Sequence, residues 1–335
     1  MNRNILLIGG AGYIGSVLSE KFLAKKYKIK CLDALVYSHR YCVENFLNNK
    51  NYEFIFKDIR NFQNVDDLFN NVTDIIILAG LVGDPITKKY PKISKEINYL
   101  ALKDFIDNCN GRGINKVVFI STCSNYGLIK NETLANEDYV LNPMSDYARH
   151  KIDIEKYIMS LKGKVDYSPT ILRFATAFGI SPRMRFDLTI NEFTRELYLK
   201  NNLDIYDANT WRPYCHVNDF VKLIDKVLQS PKDKTNFQIF NAGGDENNST
   251  KLKIIQLLKK YFPKSNVYFK DKGSDPRNYR VDFSKVKKVL NFKPEHSIED
   301  GIKEIVNALD KGKFKKLNEY NDNLGNYKIH NEQTI

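Results

Sequence analysis

The sequence predicts an α/β protein: a doubly wound parallel sheet followed by a smaller C-terminal α/β domain. Three observations carry that reading. Short apolar runs recur through the first half of the chain without polar alternation, helix-spaced segments separate them, and the first run stops at a glycine cluster that opens a helix. Strands of a parallel sheet are covered on both faces, so they lose the in–out alternation of a half-exposed strand. Strands and helices in alternation imply right-handed crossovers that put helices on both faces of the sheet.

The elements follow in order. Asn4-Ile5-Leu6-Leu7-Ile8 is the first strand, ended by Gly9-Gly10, and Ile14, Val17, Leu18 and Phe22 then repeat at helix spacing. Further strands are expected at Ile29–Leu32, Tyr52–Phe56, Asp74–Ala79, Lys116–Ser121 and Tyr167–Phe174. Helices are expected from about Lys92 to Cys109 and from about Asp146 to Leu161. Past Gly179 the alternation loosens. Val217–Leu228 resumes helix spacing, Phe237–Asn241 reads as another buried strand, and a late strand is expected near Asn266–Phe269. Residues 1–178 therefore form the first domain, with 214–244 returning to it, and 179–320 form the second. Residues 321–335 are a polar tail, expected to be partly disordered.

With 335 residues, 42% of them hydrophobic and 27% charged, the chain has the make-up of a globular protein with a large core. No apolar stretch reaches the roughly 18 residues of a membrane helix. Met1-Asn2-Arg3-Asn4 leads straight into the first strand instead of a leader, which points to the cytoplasm. Cys31, Cys42, Cys109, Cys123 and Cys215 make an odd set without a C-x-x-C pair, and read as free thiols. The histidines show no ligand spacing, so no metal is expected. A net charge of +12 raises the question of nucleic acid. The lysines are scattered among Asp, Glu and Asn, however, and the pairs Lys25-Lys26, Lys259-Lys260 and Lys287-Lys288 fall at helix ends, where cations suit the dipole. Neither nucleic acid nor a membrane is expected as a partner; an anionic small molecule is.

Gly9-Gly10-Ala11-Gly12-Tyr13-Ile14-Gly15 sets glycines at 9, 12 and 15 between a strand and a helix. Gly9 suits the tight turn, Gly12 the close approach of a pyrophosphate, and Gly15 the packing of helix on strand. The helix N-terminus, with Tyr13 and Ile14 in its first turn, receives the phosphates. A glycine triplet alone is weak, but strand, helix and an acid closing the next strand together make a Rossmann dinucleotide fingerprint. Asp33 stands 18 residues beyond Gly15, close to the interval for the acid that binds the adenosine ribose. Its charge would repel a 2′-phosphate, so NAD is expected over NADP. A mere strand-end cap is the alternative.

Tyr147-Ala148-Arg149-His150-Lys151 puts a phenol and an ammonium on one helix face. A free tyrosine, with a pKa of about 10, is a poor base at neutral pH. A neighbouring lysine cation, a cationic nicotinamide and a helix N-terminus would favour the phenolate. This spacing arises often by chance. Here, however, the fifth strand ends in Phe119-Ile120-Ser121-Thr122-Cys123-Ser124-Asn125-Tyr126-Gly127. With these motifs the chain resembles the extended short-chain dehydrogenase/reductase family, the NAD-dependent sugar-nucleotide epimerases and dehydratases, over about residues 4–305.

The resemblance implies a catalytic trio. Thr122 would hydrogen-bond the reacting oxygen, Tyr147 would exchange its proton, and Lys151 would hold the nicotinamide ribose and tune Tyr147. It also implies that Asp58 and Ile59, in Asp58-Ile59-Arg60, contact adenine, and that Leu78-Ala79-Gly80 passes under the cofactor. Asn98 matches the family's helix asparagine, and Phe240-Asn241-Ala242-Gly243 its returning strand. Arg212, before Tyr214-Cys215-His216-Val217, and Arg277, in Asp275-Pro276-Arg277, match arginines that meet a nucleotide diphosphate, a task suited to a bidentate guanidinium.

Departures from the family pattern narrow the reading. The 4,6-dehydratases carry Asp and Glu after the threonine. Cys123 and Ser124 stand there in this chain and are poorly suited to that acid–base work at neutral pH. Ser124 is left as a substrate contact, as is Thr176, which replaces a diphosphate-binding asparagine in Arg173-Phe174-Ala175-Thr176-Ala177-Phe178-Gly179. Gly179-Ile180-Ser181-Pro182-Arg183-Met184-Arg185 resembles a subgroup acting on surface-polysaccharide sugars. It places Arg183 and Arg185 at the substrate, with Asp84 as well, unless Asp84-Pro85 is only a turn. The expected function is redox chemistry at C4 of a nucleotide-diphosphate sugar in a homodimer joined near 92–109 and 146–161. A 4-epimerase is favoured over a 4-dehydrogenase or 4-ketoreductase, which use the same trio. A non-catalytic NAD-binding or RNA-binding relative is the alternative of another class, and the intact trio argues against it.

Overall fold

The computed structural model describes residues 3–61, 66–129, 133–271, 273, 275, 277–314 and 324–330. Pro276 and the remainder of the polar tail lie outside the described residues. The strands of the first half are β1 (Asn4–Ile8), β2 (Lys28–Asp33), β3 (Tyr52–Phe56), β4 (Asp74–Ile77), β5 (Lys116–Thr122), β6 (Leu134–Ala135) and β7 (Ser168–Phe174). The second half adds β8 (Thr176–Phe178), β9 (Leu203–Tyr206), β10 (Trp211–His216), β11 (Gln238–Ala242), β12 (Asn248–Thr250), β13 (Val267–Lys270) and β14 (Arg280–Val281).

Seven strands form one sheet in the order β11-β7-β5-β4-β1-β2-β3, and every neighbouring pair is parallel. Each residue of β4, β5 and β7 is buried, which is why those runs carry no polar alternation. Alternate side chains serve opposite faces. Ile5 and Leu7 join Val17, Leu18, Phe22 and Phe220 in one core. Leu6 and Ile8 join Phe105, Ile106, Ile154 and Ile158 in the other. The chain winds outward from β1 to β3, then restarts on the other side of β1 with β4. That reversal opens a crevice beyond the carboxyl ends of the strands, where ligands of such sheets bind.

A third core unites the helices Thr189–Tyr198, Lys251–Tyr261 and Ile298–Asp310 through Ile190, Phe193, Ile254, Leu258 and Ile302. Small sheets, β12-β10-β8 and β13-β9, complete it. Among the described residues no helix is long and apolar enough to cross a membrane. All five cysteines are free and buried.

The structure corrects three expectations. Of the returning segment, only β11 enters the large sheet, beside β7. Tyr214–His216 pair with β8 instead, because β11 already occupies the free edge of β7. The helix expected from Lys92 is interrupted by a π-helical turn, Glu96–Ala101, between the helices Pro91–Lys95 and Leu102–Asn108. Such turns tend to mark functional positions, and this one carries Asn98. Residues 324–330, expected in a loose tail, are packed: Ile329 is buried, and the His330 amide donates to the Val36 carbonyl at 2.9 Å.

Candidate active site

One cavity of about 710 Å³ runs from the glycine turn to Arg212 and Arg277. At its first end, Gly9 has φ 78°, a left-handed conformation that only glycine adopts cheaply, and a Cβ there would stand 2.6 Å from the Ala79 backbone. A Cβ on Gly15 would lie 2.4 Å from the Gly10 carbonyl oxygen, so this glycine lets the helix Tyr13–Ala24 seat on the turn. Gly12 stands at the N-cap of that helix, and a Cβ there would lie 3.4 Å from the Gly9 carbonyl oxygen. Ile14 lines the cavity, and the Tyr13 phenol reaches across to donate to the Gly179 carbonyl at 2.6 Å. The donor set fits NAD.

Asp33 stands at the end of β2. Its carboxylate accepts from the amides of Ala11 (3.0 Å) and Leu35 (2.8 Å), bracing the turn, and it also lines the cavity. Asp58, held by Arg60 at 2.7 Å, lines the cavity with Ile59, Leu78, Ala79 and Gly80. Asn98 is a correction. It is fully buried and outside the lining, because both ends of its amide are spent on Leu81, accepting from N at 2.8 Å and donating to O at 3.0 Å. It holds the turn that carries Gly80 instead of touching a cofactor.

The trio lies along the middle wall. Thr122 ends β5, and its hydroxyl accepts from the Ser124 amide at 3.0 Å. The Ser145 side chain caps the helix Asp146–Ser160 by accepting from the Ala148 amide. Tyr147 therefore sits in the first turn and Lys151 one turn later, and both line the cavity. Their electrostatics differ from expectation. Burial pushes the Tyr147 phenol above its usual range; Arg185 and the Thr122 hydroxyl work in the opposite direction. The Lys151 ammonium turns back to the Ile120 carbonyl at 2.7 Å and over the Phe119 ring. Burial lowers the Lys151 pKa to about 7, against the pull of Glu155.

The sign of the pH effect follows. The unfolded chain keeps Lys151 protonated up to its ordinary pKa of about 10.4, while the folded chain releases that proton near 7. Between those limits the unfolded state binds the extra proton, so Lys151 adds stability as pH rises, at up to about 1.4 kcal/mol per pH unit. Urea unfolding of wild type and Lys151→Met between pH 6.5 and 9 should therefore show a steeper rise for wild type. Parallel curves would contradict this.

The far end gathers the substrate candidates. Arg212 donates to the Trp211 carbonyl at 2.7 Å and to Asp275 at 3.0 Å. Arg277 bonds Asp275 at 2.7 Å and Asp84 at 2.9 Å. Burial would raise the Asp275 carboxyl, but the two arginines hold it well below the usual carboxylate range. Ser124 Oγ lies 3.4 Å from the Tyr279 hydroxyl, and Thr176 lines the same cavity. Arg185 grips Asp187 with two bonds, at 3.0 and 2.6 Å. Arg183 joins none of these groups. Its guanidinium lies 4.9 Å from the ring centre of Tyr37. Sequence reasoning missed Tyr37, His39, Glu192, Asn326 and Tyr327, which also line the cavity. They belong to no motif and reach it only through folding. It missed Asp187 too, although the charge pair Arg185-Phe186-Asp187 was a signal for it.

Residues 5–243 match the model of the NAD dependent epimerase/dehydratase family. The chain is 29% identical to the uncharacterized UDP-glucose epimerase YtcB of Bacillus subtilis (strain 168), over 89% of this chain and 95% of that one. It is 28% identical to the UDP-glucuronate 4-epimerase of Thermodesulfobacterium geofontis, over 90% and 94%. Its fold is similar to that of the UDP-glucose 4-epimerase of Thermotoga maritima solved with UDP-glucose, at TM-score 0.82 and 25% identity, over 93% of this chain and 100% of that one. A match over most of the chain, on a sheet whose crevice gathers the residues those motifs mark, makes this protein a member of the NAD-dependent epimerase/dehydratase family.

Proposed function

We propose that the chain is an NAD-dependent 4-epimerase of a nucleotide-diphosphate sugar. The UDP-glucose and UDP-glucuronate epimerases among its relatives favour a UDP-sugar. One observation carries the reading: Thr122 and Tyr147 open onto a single cavity with the glycine turn at one end and Arg212 and Arg277 at the other. Gly9, Gly12 and Gly15 would hold NAD, which would supply the acceptor for hydride at the carbinol carbon. Thr122 orients the reacting hydroxyl, while Tyr147 takes its proton during oxidation and gives it back during reduction. Lys151 holds the nicotinamide ribose. Arg212 and Arg277 exchange Asp275 and Asp84 for the diphosphate, with Ser124 and Thr176 beside the substrate.

Loss of water in the 4,6-dehydratase manner is disfavoured. Cys123 is buried, its thiol donates to the Arg173 carbonyl, and burial raises its pKa, so no acid–base pair flanks Thr122. Incubation with UDP-, GDP-, CDP- and dTDP-sugars, read by mass and NMR, tests the proposal. An isomer of unchanged mass is expected. A product two hydrogens lighter overturns it in favour of the dehydrogenase, and salt-sensitive RNA binding without any turnover favours the non-catalytic relative.

The enzyme is further proposed to be a cytoplasmic homodimer serving polysaccharide synthesis. The subunits join through the faces of Glu96–Ala101 and Asp146–Ser160, where Leu100 is half exposed. Light scattering at the monomer mass would contradict the dimer.

A further inference from the structure

The Asp33 end of the cavity holds a cluster of buried polar atoms that the protein leaves unpartnered. They are the Tyr37 hydroxyl, both ring nitrogens of His39, and Nε and Nη1 of Arg183. These residues are only 6%, 2% and 1% exposed, and all three line the cavity. Leaving buried donors without acceptors is costly, and a buried guanidinium is the costliest of them. Arg183 spends only Nη2, on the Gly325 carbonyl at 3.0 Å. Among the described residues no carboxylate hydrogen-bonds it. His39 stands 3.7 Å from Asp33, too far for a hydrogen bond.

With Nη2 given to Gly325, the unpartnered Nε and Nη1 of Arg183 lie on different edges of the guanidinium, and each can donate one charge-assisted bond to a phosphate oxygen. Its loop is fastened to the first turn of the helix Tyr13–Ala24: Ser181 Oγ donates to the Tyr13 carbonyl at 2.6 Å, and the Arg183 amide reaches Ser16 Oγ at 3.4 Å. The loop that bears Arg183 is thus tied to the N-terminal turn of a helix whose free amides suit a phosphate. Residues 324–330 close the corner from outside. The Phe186 amide donates to the Leu324 carbonyl at 2.7 Å, and Asn326 Nδ2 donates to the Val82 carbonyl at 2.9 Å.

We propose that Arg183, with Tyr37 and His39, clasps a phosphate of the dinucleotide's diphosphate bridge, and is not part of the sugar-nucleotide subsite. The proposal rests on the cofactor of the family and is independent of which sugar is turned over. A ribose 2′-phosphate has the same chemistry, but the charge of Asp33, which lines the same cavity, would repel it.

Calorimetric titration of the nucleotide-free full chain with adenosine, ADP, adenosine 2′-monophosphate and UDP tests the clasp. Arg183→Met should weaken ADP about 10- to 100-fold and leave adenosine and UDP unchanged. Tyr37→Phe, which removes one hydroxyl and keeps the ring, should weaken ADP about 3- to 10-fold. An equal loss for UDP would return Arg183 to the substrate, and a loss confined to adenosine 2′-monophosphate would make the corner a 2′-phosphate site. Either result overturns the proposal, as does unchanged ADP binding in Tyr37→Phe, which decides the matter even if Arg183→Met fails to fold.

Discussion

Tyr147→Phe is expected to lower sugar-nucleotide turnover by about 10²- to 10⁴-fold, the usual contribution of a positioned acid or base, with a much smaller change in NAD affinity. Phenylalanine keeps the ring that the cavity wall is packed around and removes only the hydroxyl. Burial holds this phenol protonated in the free protein, with Arg185 and Thr122 favouring its ionised form. The cationic ring of the oxidised cofactor adds to that pull, so ionisation of Tyr147 and binding of NAD should be coupled. Turnover rates and NAD titrations on the same preparation separate the two effects. A variant with near wild-type turnover would show that the proton leaves by another group and would remove Tyr147 from the mechanism.

Asp33→Ser is expected to weaken NAD by about 10- to 100-fold and to erode the preference for NAD over NADP. Hydrogen bonds to a charged group contribute about 1.5–3 kcal/mol each, and this carboxylate has two duties. It braces the Ala11 and Leu35 amides, which shape the phosphate turn, and it presents negative charge to the cavity. A serine keeps neither the charge nor the second acceptor. Titration with both dinucleotides measures the change. If the ratio of the two affinities stays the same while overall stability falls, Asp33 is a brace only, and the choice of cofactor lies elsewhere.

Much of the fold was legible before any coordinates, for reasons particular to each element. The β1 and β5 runs announce buried parallel strands because covering both faces removes polar alternation. The glycine turn could be read because Gly9 and Gly15 meet backbone atoms that no Cβ could tolerate. Tyr147 and Lys151 share a helix face by their spacing, the family resemblance added Thr122 and the reading of the three as a trio, and all three line the cavity. The orientation of Lys151 was not legible. A four-residue spacing puts two side chains on the same face, but the Ile120 carbonyl that draws the ammonium away comes from a neighbouring strand.

By itself the sequence determined the parallel sheet, the dinucleotide turn and the residue types available for proton exchange. These depend on periodicity and close spacing, which are properties of the chain as written. Only the tertiary structure decided which charge meets which: Arg277 with Asp84, Arg212 with Asp275, and Arg183 with Tyr37 under residues 324–330. The physical reason is that those partners sit on separate elements. Their pairing is set by where two hydrophobic cores bring loops together, and no local period records that.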